Sequence, residues 1–337
     1  MKKNLILPLI IGIVIVICAF HFFKKQTQQE LHSSKFSIIL LTQEGGIADK
    51  SFNEGVWSGL LKAKNELSAE ISYIETEKEA DFGDNLRRAT DQKPSLILCI
   101  GFKFASLIKE EAENNPNQKY VLLDCSVDSI PPNLACITFK EHEVAFLAGI
   151  LAGNLTQSNK VAFIGGMHAP AIERFKSGFE AGVKHIATEK KQEIEVLVQF
   201  AGTFTDTAKG KDLATVLIAE GCDVLFHAAG FAGSGAIEAA KEQNCKIIGV
   251  DTDQSCLAPQ NVIASAAKKV DVAIFDLVRN VASGKQHEFG SEIIFGVKEN
   301  GVDLIGISAN IPNEVLQKLE ETKQKFIDGD LVVSEME

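Results

Sequence analysis

Leu96-Ile-Leu-Cys-Ile100, then Gly101-Phe-Lys-Phe104-Ala-Ser-Leu-Ile-Lys-Glu-Glu-Ala-Glu-Asn-Asn115, then Tyr120-Val-Leu-Leu123 is the stretch that decides the fold. A five-residue apolar run reads as a strand buried on both faces, the amphipathic stretch after it as a helix, and the next apolar run as a second strand. Strand, helix and strand in this order form a βαβ unit, whose strands lie parallel. The same pattern extends in both directions. Apolar runs recur at Ser37–Leu41, Ile71–Ile74, Val161–Ile164, Glu195–Gln199, Val224–Phe226 and Lys246–Val250. Helical patterns separate them at Phe52–Leu67, His142–Leu155, Ile172–Ile186, Thr207–Glu220 and Gly235–Glu242. Eight strands exceed one comfortable open sheet, so the pattern predicts an α/β protein of two doubly wound domains, with the break near Phe139-Lys140.

Composition narrows the function classes. The 337 residues are 45% hydrophobic with only 8 prolines, which excludes disorder and collagen-like repeats. The first 25 residues carry four lysines and no acid, leaving 30 basic against 45 acidic groups, a charge of −15, on the remainder. So acidic a body is a poor fit to nucleic acid or anionic lipid, which are gripped by clustered Lys and Arg. A small neutral or cationic ligand, or a protein partner, fits better.

Lys2-Lys3, the apolar run Leu5–Phe23 and Lys24-Lys25 place a hydrophobic segment at the N-terminus. Nineteen residues at 1.5 Å rise span ~28 Å, close to the hydrocarbon core of a bilayer. Three readings stand: an uncleaved anchor, a lipoprotein acylated at Cys18, and a buried helix. A lipoprotein box asks for a small residue before the cysteine, where this chain has Ile17. Residues 26–35 read as a short tether. An anchor or a lipid on a stalk implies an exported body at the outer face of the cell membrane, although lysines on both flanks specify orientation weakly. Cys99, Cys125, Cys136, Cys222, Cys245 and Cys256 show neither CxxC nor Cys/His ligand spacing. Buried thiols are the plain reading. A Cys222–Cys245 disulfide is the sharper one, since each precedes a strand and consecutive parallel strands are often neighbours.

In open parallel sheets ligands bind beyond the C-terminal strand ends. That rule selects the loops at Thr42–Phe52, Gly101-Phe102, Asp124, Gly165–Ala169, Ala228–Gly235 and Asp251–Ser255. Gly45-Gly46-Ile-Ala-Asp49-Lys-Ser51-Phe52-Asn53 lacks phosphate-loop spacing; Asp49 or Ser51 reads as a helix cap, and Phe52 as either core or ligand wall. Gly230-Phe-Ala-Gly-Ser-Gly235 is a weak dinucleotide loop and a better helix N-terminus beside a ligand. Asp251-Thr-Asp253 is either a phosphatase-type pair or a carboxylate that hydrogen-bonds vicinal hydroxyls. The pair lacks a following acidic partner for a metal, which favours the second. Lys268-Lys269 read either as a solvated helix start or as a cation for Asp124 or Asp251. Glu173, Arg174 and Asp206 read as surface or capping groups. His142, His168 and His227 are too scattered for a metal, and neither a catalytic set nor a cofactor is inferred.

Together, Gly45-Gly46-x-x-Asp-Lys-Ser-Phe-Asn, Ala80-Asp81-x-x-x-Asn85-Leu86, Ile137-Thr-Phe-Lys-x-x-Glu143-x-x-x-Leu147-Ala-Gly149, Gly165-Gly166 with Arg174-Phe175-x-x-Gly178-Phe-x-Ala-Gly182, Gly202-Thr-Phe-x-Asp206, Ala228-Ala-Gly230 and Gly249-Val-Asp251-x-Asp-Gln-Ser-x-Leu-Ala-Pro strongly resemble the basic membrane protein family. That family includes purine nucleoside receptor lipoproteins. The resemblance covers about residues 37 to 305. It implies a type I periplasmic binding protein, two doubly wound parallel-sheet lobes joined by three crossovers and closing on ligand at a hinge. The implied organisation is 1–25 anchor, 26–35 tether, 36–138 with about 267–290 as one lobe, 139–266 with about 291–310 as the other, and 311–337 as a C-terminal helix and tail.

The family holds a purine between two phenylalanines and its ribose on an aspartate. By resemblance these are Phe52, with Asn53 beside it, Phe226 and Asp251, joined by Lys268 and Asp124; Asp49 and Gly230, from the loops read above, complete the expected ligand-binding set. Purine receptors carry Asp where this chain has Gln43, and an amide both donates and accepts. The expectation is therefore a non-enzymatic, monomeric receptor that delivers a purine nucleoside to an ABC permease and ATPase. Riboflavin or another nucleoside-like ligand is the alternative, as is a surface adhesin.

Overall fold

The computed structural model describes residues 36–43, 45–285 and 289–335. The anchor, the tether and Cys18 lie outside the described residues. Among the described residues no helix is long and apolar enough to cross a membrane.

A compact unit begins at Ser37 and contains two sheets. The first is built from β1 (Ser37–Thr42), β2 (Glu70–Glu75), β3 (Leu96–Ile100), β4 (Tyr120–Leu123), β5 (Leu134–Phe139) and β11 (Ser291–Phe295), in the order β11-β5-β4-β3-β1-β2 and parallel throughout. Helices α1 (Phe52–Leu67), α2 (Phe82–Asp91) and α3 (Ala105–Asn114) connect its strands. The second joins β6 (Lys160–Gly165), β7 (Glu195–Phe200), β8 (Val224–Ala228), β9 (Lys246–Asp251), β10 (Val262–Lys268) and β12 (Val302–Ile305), in the order β12-β10-β9-β8-β6-β7, with only β12 antiparallel. Its helices are α4 (Glu141–Leu155), α5 (Pro170–Lys190), α6 (Thr207–Ala219) and α7 (Ala232–Glu242); α8 (Val270–Ala282) lies back on the first lobe, packed on α1, where a Cβ on Gly59 would lie 2.6 Å from the Asp271 carbonyl, and α9 (Asn313–Asp328) packs on α4.

Continuous apolar sequence has its expected consequence: β3, β4 and β5 are buried along their whole length, whereas the edge strands β2 and β7 are not. Each lobe has its own core, one around Phe82, Phe104 and Leu122, the other around Leu225, Ile237 and Ile247. Strand order reverses beside β1 and β3 in the first sheet and beside β6 and β8 in the second, so both crevices open at those strands' C-terminal ends.

The chain crosses between sheets three times: after β5, after β10, and between β11 and β12. The crossings are tied together. The Lys140 amide donates to the Phe295 carbonyl at 2.9 Å, the Lys269 amide to Gly301 at 2.8 Å, and the Val297 amide to the Glu143 carboxylate at 2.7 Å. One close approach sets the hinge geometry. A Cβ on Gly178 would lie 2.3 Å from the His142 carbonyl, and one on Gly182 2.2 Å from that of Phe146, so α4 and α5 touch backbone to backbone. That contact seats the first turn of α4 against the middle of α5, at Gly178, beside the crossover.

One expectation is corrected and two open alternatives are decided. Residues 291–295 do not join the second lobe: β11 pairs with β5 of the first sheet, Ser291 opposite Ala135 through Phe295 opposite Phe139. Lys268 does not open a helix, because it is the last residue of β10 and α8 begins at Val270. Cys222 and Cys245 are free and buried rather than bridged, and the Cys245 thiol points to the Cys222 carbonyl at 3.7 Å.

Candidate functional site

Between the lobes lies a cavity of about 860 Å³, counting the space open to solvent at its mouth. Its walls come from strand ends of both sheets. The first lobe contributes Gln43, Asp49, Phe52, Asn53, Gly101 and Asp124; the second contributes Ile172, Phe175, Phe204, Gly230, Asp251 and Lys268.

On the first lobe, Asp49 is the cap of α1. Its carboxylate accepts the amides of Ser51, Asn53 and Glu54 at 2.9, 3.1 and 3.0 Å, which fixes the loop that presents Phe52. Burial raises the Asp49 carboxyl against those three donors. Asn53 uses its Nδ2 on the Gly46 carbonyl at 2.9 Å, and Gln43 uses its Nε2 on the Ile100 carbonyl at 2.8 Å. The Gln43 amide lies so close over Gly101 (φ +88°) that a Cβ there would meet Nε2 at 1.7 Å. Phe52 stands edge-on to Phe139, with ring centroids 6.4 Å apart.

The polar pole is a buried ion chain. The Lys268 ammonium contacts Asp124 and lies 2.9 Å from Glu141, whose other oxygen receives Arg174 Nε at 2.6 Å. The Lys268 and Glu141 side chains are only 1% and 0% exposed, so neither charge is shared with solvent. Burial alone would depress the lysine, but Asp124, Glu141 and Asp251 hold it above its ordinary range. Burial would raise Glu141, yet Lys268 and Arg174 together keep it low and ionised. Asp124 has the weaker support, and burial raises it. The same ammonium lies 4.4 Å from the Phe52 ring centroid and 5.9 Å from that of Phe175, so both aromatic walls converge on it.

Asp251 ends β9 in a left-handed conformation (φ +63°), as Asp124 does beyond β4 (φ +66°). It accepts the Ser51 hydroxyl from across the cleft. Burial pushes its carboxyl up to about 7, against the pull of Lys268 and that hydroxyl. Asp253 does not converge with it. That side chain accepts the Ser255 amide at 2.9 Å, sits against Gly306 and is not part of the cavity wall.

Of the residues singled out by sequence, the structure brings Gln43, Asp49, Phe52, Asn53, Asp124, Gly230, Asp251 and Lys268 to one cavity. Phe226 is elsewhere. It lies in the middle of β8, fully buried, with Phe175, Phe179 and Phe163 around it at 5.9, 5.3 and 5.6 Å. Only the end of β8, Ala228, reaches the cleft. The aromatic wall of the second lobe is Phe175 and Phe204. Gly166 makes room for Phe204, since a Cβ there would meet the ring at 2.3 Å, and Gly230 packs behind it. Both rings sit in stretches already conspicuous in the sequence, Arg174-Phe175 and Gly202-Thr-Phe204. Glu141 was not singled out, and Arg174 is no surface group: its side chain is 14% exposed.

Two doubly wound lobes around an aromatic cleft with a buried polar pole define a solute-binding protein of the type I periplasmic class. The family model described as ABC transporter substrate-binding protein PnrA-like matches residues 36–337. Basic membrane protein A of Borreliella burgdorferi is 35% identical over 337 residues, covering 99% of this chain and 96% of that protein. The ABC transporter nucleoside-binding protein BmpA of Lactococcus lactis subsp. cremoris is 32% identical over 315 residues, covering 87% and 88%. A solved ABC transporter solute-binding protein from Aeropyrum pernix K1 superposes with a TM-score of 0.83 at 27% identity, covering 89% of this chain and 94% of that one. The chain belongs to the basic membrane protein family of ABC transporter substrate-binding proteins.

Proposed function

We propose that the protein captures a purine nucleoside between its lobes and delivers it, as a monomer tethered to the outer face of the cell membrane, to an ABC permease and its ATPase. The observation that carries this reading is the pairing of aromatic walls on both lobes, Phe52 against Phe175 and Phe204, with a carboxylate and an ion chain at the polar pole. Flat aromatic rings suit a base, whose stacking contributes ~1–3 kcal/mol per base. Asp251 suits the vicinal hydroxyls of ribose, because its second oxygen remains for the ligand while the first holds Ser51. Among the described residues Lys268 is the only Lys or Arg in the cavity wall, and two carboxylates already engage it, so a phosphorylated ligand finds no free cation there. The Lactococcus relative, itself named as nucleoside-binding, supports the same ligand class. Mass spectrometry of small molecules released from protein purified without denaturation tests the reading. A purine nucleoside near one per chain is expected, and riboflavin or a nucleotide in its place would overturn it.

A further inference from the structure

One hydrogen bond joins the two lobes outside the cavity wall. Gln254, 2% exposed, donates from Nε2 to the Lys50 carbonyl of the opposite lobe at 3.2 Å. Its amide has only one permitted orientation. Oε1 receives the Val250 backbone amide at 3.0 Å, and a backbone N–H only donates; Nε2 faces a carbonyl, which only accepts. The Gln254 amide is further fixed through its own backbone N–H, which donates to the Ser265 hydroxyl at 3.1 Å.

His227 completes the setting. Its Nε2 lies 2.9 Å from Gln254 Oε1, and since that oxygen accepts, Nε2 carries the proton. Nδ1 is then an unprotonated, buried acceptor with no hydrogen-bond partner among the described residues, pressed against Gly233, where a Cβ would lie 2.0 Å away. Burial pushes this imidazole down to about 4, so it stays neutral in this tautomer. On the other side of the seam, Lys50 holds a left-handed backbone (φ +52°), uncommon for a residue with a side chain, and its carbonyl receives Gln254 and, at 3.5 Å, the Thr252 hydroxyl. Neither Lys50 nor Gln254 lines the cavity.

We propose that Gln254, preset by the neutral His227, and the Lys50 carbonyl form a closure latch that stabilises the closed state of the lobes independently of ligand chemistry. Gln254 and His227 are positioning residues in this scheme; they do not contact the solute. A latch present only when closed slows opening and leaves ligand entry alone, so its loss appears in dissociation and not in association.

Two variants test it from opposite lobes. Gln254→Glu replaces the donor by an oxygen facing an oxygen. Lys50→Val, at a residue that is itself exposed, disfavours the left-handed backbone that aims the carbonyl, while Lys50→Gly retains it. With adenosine, guanosine and inosine as probes, Gln254→Glu and Lys50→Val should each dissociate about fivefold or more faster, the equivalent of one lost hydrogen bond, with association within about twofold of the parent. Lys50→Gly should match the parent. Small-angle scattering of unliganded protein gives a readout free of the ligand assignment: both disrupted variants should have a larger radius of gyration than the parent and Lys50→Gly. If no nucleoside binds the parent, the ligand reading fails while scattering still tests the latch. Unchanged dissociation and scattering in Lys50→Val would overturn the proposal, even if Gln254→Glu failed to fold.

Discussion

Replacing Lys268 with methionine is the most revealing single perturbation of this molecule. The ammonium is buried between Asp124 and Glu141, both of which contact it, and its removal leaves these two carboxylates and the neighbouring Asp251 with only Arg174, beside Glu141, as a cation. Breaking a buried ion pair from one side costs ~3–5 kcal/mol, because the remaining charge is uncompensated. Asp124 suffers most, since Glu141 retains Arg174 while burial already raises Asp124 with the lysine present. In the variant, its folded-state pKa rises further above the unfolded value. A raised acid contributes stability that is full below the unfolded pKa and lost as pH rises through the folded pKa, so the deficit should be large at pH 8 and shrink toward pH 5. The assay is urea unfolding of ligand-free parent and variant at both pH values, with nucleoside binding measured alongside. A loss below about 1 kcal/mol at pH 8, or a loss that does not shrink on acidification, would refute the reasoning that the chain Arg174–Glu141–Lys268–Asp124 is an electrostatically closed unit.

Other outcomes follow from the same geometry. Asp251→Asn should weaken nucleoside binding by ~2–5 kcal/mol if a buried hydroxyl contact is lost. It should also remove a pH dependence of the ligand-free protein, because an acid raised from 3.8 to about 7 costs stability as pH climbs through that window; parallel unfolding curves for parent and variant at pH 4.5 and 8 would count against this. Gly166→Ala drives a methyl into the Phe204 ring, at 2.3 Å before any adjustment, so titration calorimetry should show affinity falling at least about tenfold, with a stability cost of ~1–3 kcal/mol. Phe204→Ala should abolish most binding yet leave the fold near parent stability. Phe226→Ala should do the reverse, losing ~3–5 kcal/mol of stability through a core cavity, and a normal melting curve for it would return Phe226 to the cleft.

The sequence made the strand ends readable and the strand middles ambiguous. Asp124 and Asp251 follow apolar runs directly and Gln43 follows Thr42, the end of β1, and a residue at the end of a parallel strand has one place to go, the crevice. Phe226 failed by two positions. Within Val224–Ala228 the periodicity says only that the strand is buried, and nothing local shows where it stops and the cleft begins. Phe175 and Phe204 lie on a helix and in a loop, where a lone aromatic carries no directional signal until the fold is known. Glu141 escaped for a related reason. An acidic residue in a helix's first turn ordinarily answers the helix dipole, and its burial against Lys268 depends on a partner 127 positions away. The strand at 291–295 was misplaced because hinge crossings exchange lobes without a change in composition, so only pairing with β5 reveals its sheet.

The central claim is that the cleft is a nucleoside site built from both lobes. Isothermal titration of ligand-stripped protein with adenosine, guanosine and inosine, with riboflavin in parallel, tests it most directly. Saturable one-to-one binding of at least one nucleoside, lost in Phe204→Ala and retained in Phe226→Leu, is the predicted result. No heat with any of the three nucleosides, alongside saturable binding of riboflavin, would contradict it.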